Sequence, residues 1–172
     1  MRGMGSRGTR ATEVLRRTGV AFEAHEYAHA TAGSSRQPGP GYGQEAALAL
    51  GADGARVLKT LIADVDGRLV TAIVPVSGEL DLKRLAEAVG GRRAMLADAT
   101  AAERATGYVA GGISPLGQRR ALPTVLDRSA LDWPTVYVSG GRRGLDLELA
   151  PGDLADQTGA TIAPIARPTT RA

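Results

Sequence analysis

Residues 55–76, ARVLKTLIADVDGRLVTAIVPV, constrain the fold of this chain more than any other stretch. Two runs rich in Val, Leu, Ile and Ala flank Asp66-Gly67. That pair tolerates the positive φ angles of a two-residue hairpin turn, so the runs pair antiparallel. A chain built around such a hairpin is not all-helical. What covers the hairpin must come from its neighbours.

Those neighbours are of both kinds. Residues 9–19, TRATEVLRRTG, predict a helix with Thr9 as N-cap, apolar Val14 and Leu15, and Gly19 as its stop. QEAALALG predicts a short helix closed by Gly51. ELDLKRLAEAVGG predicts another, capped by Asp81, with Leu82, Leu85 and Val89 on one face. ATAAERATG carries a capping box, Thr100 with Glu103. GDLADQTG is one more short helix. VAFEAHEY reads as a strand with Val20, Phe22, Ala24 and Glu26 on one face. ALPTVLD, PTVYVSGG, GLDLELA and ATIAPIA are further strand-like segments. Residues 31–43, TAGSSRQPGPGYG, form a long Gly/Pro/Ser-rich loop of the kind that often binds ligands. Irregular alternation around a hairpin predicts an α+β domain, one mixed sheet with helices packed against it. The 172 residues suit a single domain. Its expected span is 9–166, between a flexible extension at 1–8 and a flexible tail at 167–172.

Composition removes several chemistries. The chain has no cysteine, so disulfides, thiolate zinc sites and a cysteine nucleophile are excluded. No apolar run nears the roughly 20 residues that span a bilayer. MRGMGSRG is basic but leads into no apolar segment, so it is no secretory signal, and a cytoplasmic protein is expected. A net charge of +3 and a pI of about 9.7 allow a nucleic-acid partner without requiring one.

No nucleophile elbow, Walker loop, zinc-protease helix or true dinucleotide fingerprint is present; GPGYG only imitates one. His25 and His29 are four apart, but on a strand and loop rather than a helix, so no metal site is expected. Lys59 shares strand parity with Val57, Leu61 and Ala63. Such a lysine either sits on an edge strand and reaches water, or serves a site. GGISPLGQRR and SGGRRG pair glycine-rich turns with arginines, Arg119 and Arg120 in one, Arg142 and Arg143 in the other. Backbone amides and guanidinium groups together suit phosphate or an oxyanion; the plainer reading is two tight turns with solvated basic flanks. In GLDLELA, Asp146 and Glu148 face away from Leu145, Leu147 and Leu149. That is a solvated strand face unless it lines a pocket.

VLKTL, GGISPLGQRR and VSGGRRGLDLELAPGDLA resemble the YbaK/EbsC family of free-standing aminoacyl-tRNA deacylases, in its Cys-tRNA(Pro) branch. TEVLRRTGVAFEAHEY and GQEAALALG extend the likeness from about residue 9 to 165. The resemblance implies a mixed sheet curled into a partial barrel and flanked by helices, as in the editing insertion of prolyl-tRNA synthetases. It implies hydrolysis of the ester of mischarged tRNA(Pro), chiefly the cysteinyl ester, with no metal or cofactor and with prolyl-tRNA synthetase as a partner. By the same likeness Lys59, Gly111 and Gly112 are catalytic, with amides at the two glycines facing the oxyanion. Tyr27, Tyr42, Thr60, Ser139 and Asp146 bind substrate. Arg119, Arg120, Arg142 and Arg143 are candidates for acceptor-stem phosphates. The chain departs from the family at YAHA, where Ala28 and Ala30 replace acidic residues, and its loop before Tyr42 is longer than usual. Two other readings remain: a deacylase for Ala- or Ser-tRNA on the same fold, and a non-catalytic module that holds RNA or a nucleotide.

Overall fold

The computed structural model describes residues 8–28 and 42–169. Helix α1 (Arg10–Thr18) begins at Thr9, whose side chain accepts the Thr12 amide, and stops at Gly19 in the left-handed region, as its sequence predicts. Strand β1 (Glu23–Glu26) follows, then α2 (Tyr42–Leu50). The hairpin is β2 (Leu58–Val65) and β3 (Arg68–Pro75), in full antiparallel register. Asp66 and Gly67 take φ values of 52° and 88°, the double positive turn that Asp-Gly allows.

Strand β4 (Gly78–Leu80) leads into α3 (Leu82–Ala88), capped by Asp81. Strand β5 (Ala94–Leu96) precedes α4 (Ala99–Thr106). Here the cap is Asp98, which accepts the Ala101 amide, and not Thr100. Glu103 is turned instead onto the Ala110 amide, at 2.7 Å. Strand β6 (Thr124–Asp127), a 3₁₀ turn, β7 (Val136–Arg142) and β8 (Leu145–Leu149) come next, then α5 (Pro151–Thr158). ATIAPIA is two strands rather than one, β9 (Thr161–Ala163) and β10 (Ala166–Pro168). Pro164 separates them, since proline offers no amide to a ladder. Strand β10 carries the ordered chain past the expected boundary at 166.

The strands form three sheets. One runs β5-β2-β3-β6-β9, mixed in direction; another runs β1-β8-β7, all antiparallel; β10 pairs with β4. This is the mixed, helix-flanked arrangement expected, and its sheets do not close into a barrel. Just before β2, Val57 forms an isolated parallel bridge to Tyr137 of β7, which pairs along its length with β8. No further ladder joins the two sheets among the described residues. The side of β2 away from β3 is covered by β5 only at residues 63–65, which leaves the edge around Lys59 to Leu61 uncovered by strand.

Leu15, Leu126, Val136, Val138, Leu145, Leu147, Leu149 and Leu154 make the main core, sealing α1 and α5 against the apolar side of β7 and β8. Each fully buried leucine contributes about 2 kcal/mol from its transfer out of water. A second core under α3 joins Val74, Leu85, Val125 and Ile165. Buried Asp127 ties β6 to the β9–β10 link by accepting the Ile165 and Ala166 amides, both at 2.9 Å, and also holds Ser129.

Candidate active site

The gap between the two sheets is a cavity of about 350 Å³. β2 and the residue just before it supply Val57 to Leu61, α2 supplies Gly43 to Ala46, and the loop after α4 supplies Gly111 and Ile113. The three-stranded sheet and its turn supply Tyr27, Ser139, Arg142, Arg143 and Asp146. Consecutive residues of β2 all reach the cavity because it opens on the strand's bare edge as well as on one face.

Strand register explains the polar wall. Ser139 is opposite Asp146, and Asp146 is opposite His25; Tyr137 is opposite Glu148, and Glu148 is opposite Glu23. Cross-strand partners share a face, so these six side chains and Tyr27 project on one side, away from the leucine core. On β1, His25 and Tyr27 thus project to the polar side, while Ala24 and Glu26, opposite Leu147 and Leu145, keep the parity expected with Val20 and Phe22. Those two pack on the core from the segment before the strand begins.

Asp146 is only 5% exposed. Its carboxylate accepts the Tyr27 hydroxyl at 3.0 Å. Burial pushes its pKa up to about 6, against smaller opposing effects of the Tyr27 hydrogen bond and of His25. Burial also raises the Tyr27 phenol, and the Asp146 charge adds to it. Lys59 is half-buried and donates to the Gly78 carbonyl at 3.0 Å. Burial lowers its pKa, with Glu79 acting weakly the other way. The Thr60 hydroxyl is buried with no hydrogen-bond partner among the described residues, an uncompensated polar atom at the cavity wall.

The glycine-rich turns have a packing reason. A Cβ on Gly112 would lie 2.9 Å from the Arg142 Cα, and one on Gly140 would lie 2.6 Å from the Leu145 side chain. The loop after α4 and the β7–β8 turn therefore touch backbone to backbone. Gly111 has φ near 90° and lines the cavity, and its amide has no internal acceptor among the described residues. Gly112 does not match the expectation of an oxyanion donor. Its amide is engaged by the Val109 carbonyl at 2.9 Å, and the residue is absent from the cavity wall.

A family model for the aminoacyl-tRNA editing domain matches residues 40–157. The chain belongs to the aminoacyl-tRNA editing domain family. A protein of Enterococcus faecalis assigned as a Cys-tRNA(Pro)/Cys-tRNA(Cys) deacylase, EbsC, is 36% identical over 124 residues, 71% of this chain and 75% of its own. The crystal structure of a protein assigned as a trans-editing enzyme for prolyl-tRNA synthetase superposes with a TM-score of 0.78 at 26% identity, covering 92% of this chain and 95% of that one. The hypothetical protein APE2540 superposes equally well at 27% identity, covering 92% and 100%.

Within this editing domain, Lys59, Thr60, Gly111, Ser139, Asp146 and Tyr27 share the cavity. The side chain of Tyr42, His29 and most of the loop at 31–43 lie outside the described residues. The four arginines separate into two pairs. Arg142 and Arg143 stand at the cavity, where Arg142 pairs with Glu26 at 2.5 Å and Arg143 with Glu45 at 3.0 Å. Arg119 and Arg120 do not line it; their amides accept the role of closing α4, donating to the Thr106 and Ala105 carbonyls. Sequence reasoning assigned no role to Glu45, Gln44 or Ile113. Only the GQEAALALG motif signalled the first two, and nothing local signalled Ile113.

Glu23, His25 and Glu148 bring ligand-type atoms within 4.8 Å of one another. Glu148 is already engaged there by His25 at 2.9 Å, by the Thr135 hydroxyl and by Arg56 at 3.7 Å. A cation at that point would meet the Arg56 guanidinium. No described helix is long and apolar enough to cross a membrane.

Proposed function

We propose that this protein is a cytoplasmic trans-editing deacylase that hydrolyses cysteinyl esters of tRNA(Pro), and of tRNA(Cys) as well. The supporting observation is the meeting of a half-buried lysine, an unpartnered threonine hydroxyl, an unengaged glycine amide and a buried carboxylate on one small cavity. The family and its EbsC relative supply the reaction class.

An aminoacyl ester is already activated, so the protein need only hold it and stabilise developing charge. Lys59 binds the terminal adenosine through phosphate or ribose. The Gly111 amide faces the carbonyl oxygen as it becomes an oxyanion; one such donor is worth about 10²–10³ in rate. Asp146, held by Tyr27, meets the substrate ammonium, whose charge favours the carboxylate. The cysteine thiol attacks its own carbonyl. A C–S bond forms, the ester C–O bond breaks, the ribose oxygen takes the proton, and water then opens the thiolactone. Alanine and proline offer no such nucleophile. Prolyl-tRNA synthetase is the partner that delivers the tRNA.

The test is a panel of tRNA(Pro) charged with Cys, Ala, Ser or Pro, with free amino acid followed over time. Release of cysteine well ahead of the others is expected. Equal release of serine would point to water as nucleophile, and tight binding without release would make the domain a non-catalytic module.

A further inference from the structure

The four arginines expected to share one role occupy different electrostatic settings. Arg142 and Arg143 already hold carboxylates. Arg119 and Arg120 are exposed and form no ion pair among the described residues. A fifth arginine joins them. The Arg10 guanidinium lies over Gly107: a Cβ there would be 2.7 Å from Arg10 Nη1 and 3.5 Å from the Arg119 Cβ. Arg10 is exposed too, and its backbone packs on Gly117, two residues before Arg119.

This basic face is built rather than accidental. Gly107 caps α4 in the left-handed region, and a larger residue would displace Arg10. The Arg119 and Arg120 amides close the same helix end. The partial negative charge of a helix C-terminus offsets some of the repulsion among three cations. The one carboxylate of α4, Glu103, is directed to the Ala110 amide. The face is also joined to the cavity by direct contacts. The Thr9 hydroxyl, next to Arg10, donates to the Gly140 carbonyl at 2.5 Å, and Gly141 packs on Thr9 and Tyr108. Ser139 and Arg142, at either end of that glycine pair, line the cavity.

We infer that Arg10, Arg119 and Arg120 form the phosphate-binding face for the RNA stem whose charged end enters the cavity, while Arg142 and Arg143 brace the cavity rim. Unpaired, exposed guanidinium groups fit phosphodiester oxygens of a duplex, and their contribution is electrostatic and independent of sequence. The inference rests on the deacylase reading for its substrate.

The experiment compares the wild-type chain, the Arg10→Ala/Arg119→Ala/Arg120→Ala variant, and a control with Arg92→Ala/Arg93→Ala. The control removes exposed charge beside the hairpin turn. Each is assayed on Cys-tRNA(Pro) and on a cysteinylated oligonucleotide ending in CCA, over a salt series. The ratio of kcat/KM for tRNA to that for the oligonucleotide should fall tenfold or more in the triple variant and stay put in the control. The slope of log(kcat/KM) on tRNA against log salt should become shallower by about 2 to 3. Equal losses in variant and control, or an unchanged slope, would overturn the assignment. If the wild type cleaves neither substrate, the deacylase reading fails. Direct binding of uncharged tRNA to the same three proteins then decides the surface separately, with unchanged binding in the triple variant refuting it.

Discussion

Replacing Asp146 by asparagine removes a buried charge but keeps an acceptor for the Tyr27 hydroxyl, so its effect on stability should depend on pH in a defined way. A carboxyl held at about 6 in the fold against an ordinary 3.8 means the folded state disfavours its anion by about 3 kcal/mol. The folded state then binds more protons than the unfolded one between these values. Stability from this group is therefore greatest at low pH, falls as pH rises from about 4 to about 6, and stays low above that. Asp146→Asn has no such charge. Measured by urea unfolding with the single tryptophan, Trp133, as probe, the stability of the variant minus that of wild type should rise by about 2 to 3 kcal/mol from pH 4 to pH 8. Glu148 and Asp66, whose pKa values are lowered by hydrogen bonds, slope the opposite way but are common to both proteins. A difference that stays flat across this range would refute the argument. It would mean that the Asp146 anion is solvated or paired through the cavity and carries no burial penalty.

Lys59→Ala should abolish deacylation while leaving the urea midpoint within a small margin, because the ammonium makes one internal hydrogen bond; near-wild-type turnover would defeat its role. Gly112→Ala should lower kcat by tenfold or more and also destabilise, since backbone at Arg142 cannot yield as a flexible side chain would; an unchanged melting curve and rate would show that the two turns do not touch as described. Asp127→Ala should cost about 3 kcal/mol in urea unfolding, because the Ile165 and Ala166 amides lose their acceptor; a loss below about 1 kcal/mol would mean that water substitutes for it.

Local signals were legible where one short segment decides the outcome. Asp66-Gly67 needed only its own φ preferences, and Thr9 with Gly19 bounded α1 from within. Two capping residues two positions apart are not ranked in the same way: Asp98 takes the cap from Thr100, so α4 begins two residues earlier than a Thr100 cap would place it. The Pro164 break was visible in the letters but outweighed by the apolar run around it. Asp146 shows the limit most clearly. Its parity, opposite to the leucines, follows from the alternation in GLDLELA. Whether that face meets water depends on β2 and α2, which lie far away in sequence. Six residues that the resemblance points to, Tyr27, Lys59, Thr60, Gly111, Ser139 and Asp146, share the cavity, but the likeness treats the two glycines as alike, and the Val109 contact tells Gly112 from Gly111.

The backbone-to-backbone seat of Gly112 on the β7–β8 turn fixes the loop that carries Gly111 and Ile113 into the chamber. Retuning for a bulkier or smaller amino acid then falls to the variable side chains of the lining, Gln44, Leu61, Val76 and Ile113. Engineering altered selectivity into this scaffold therefore means redrawing those four positions while leaving the glycines untouched.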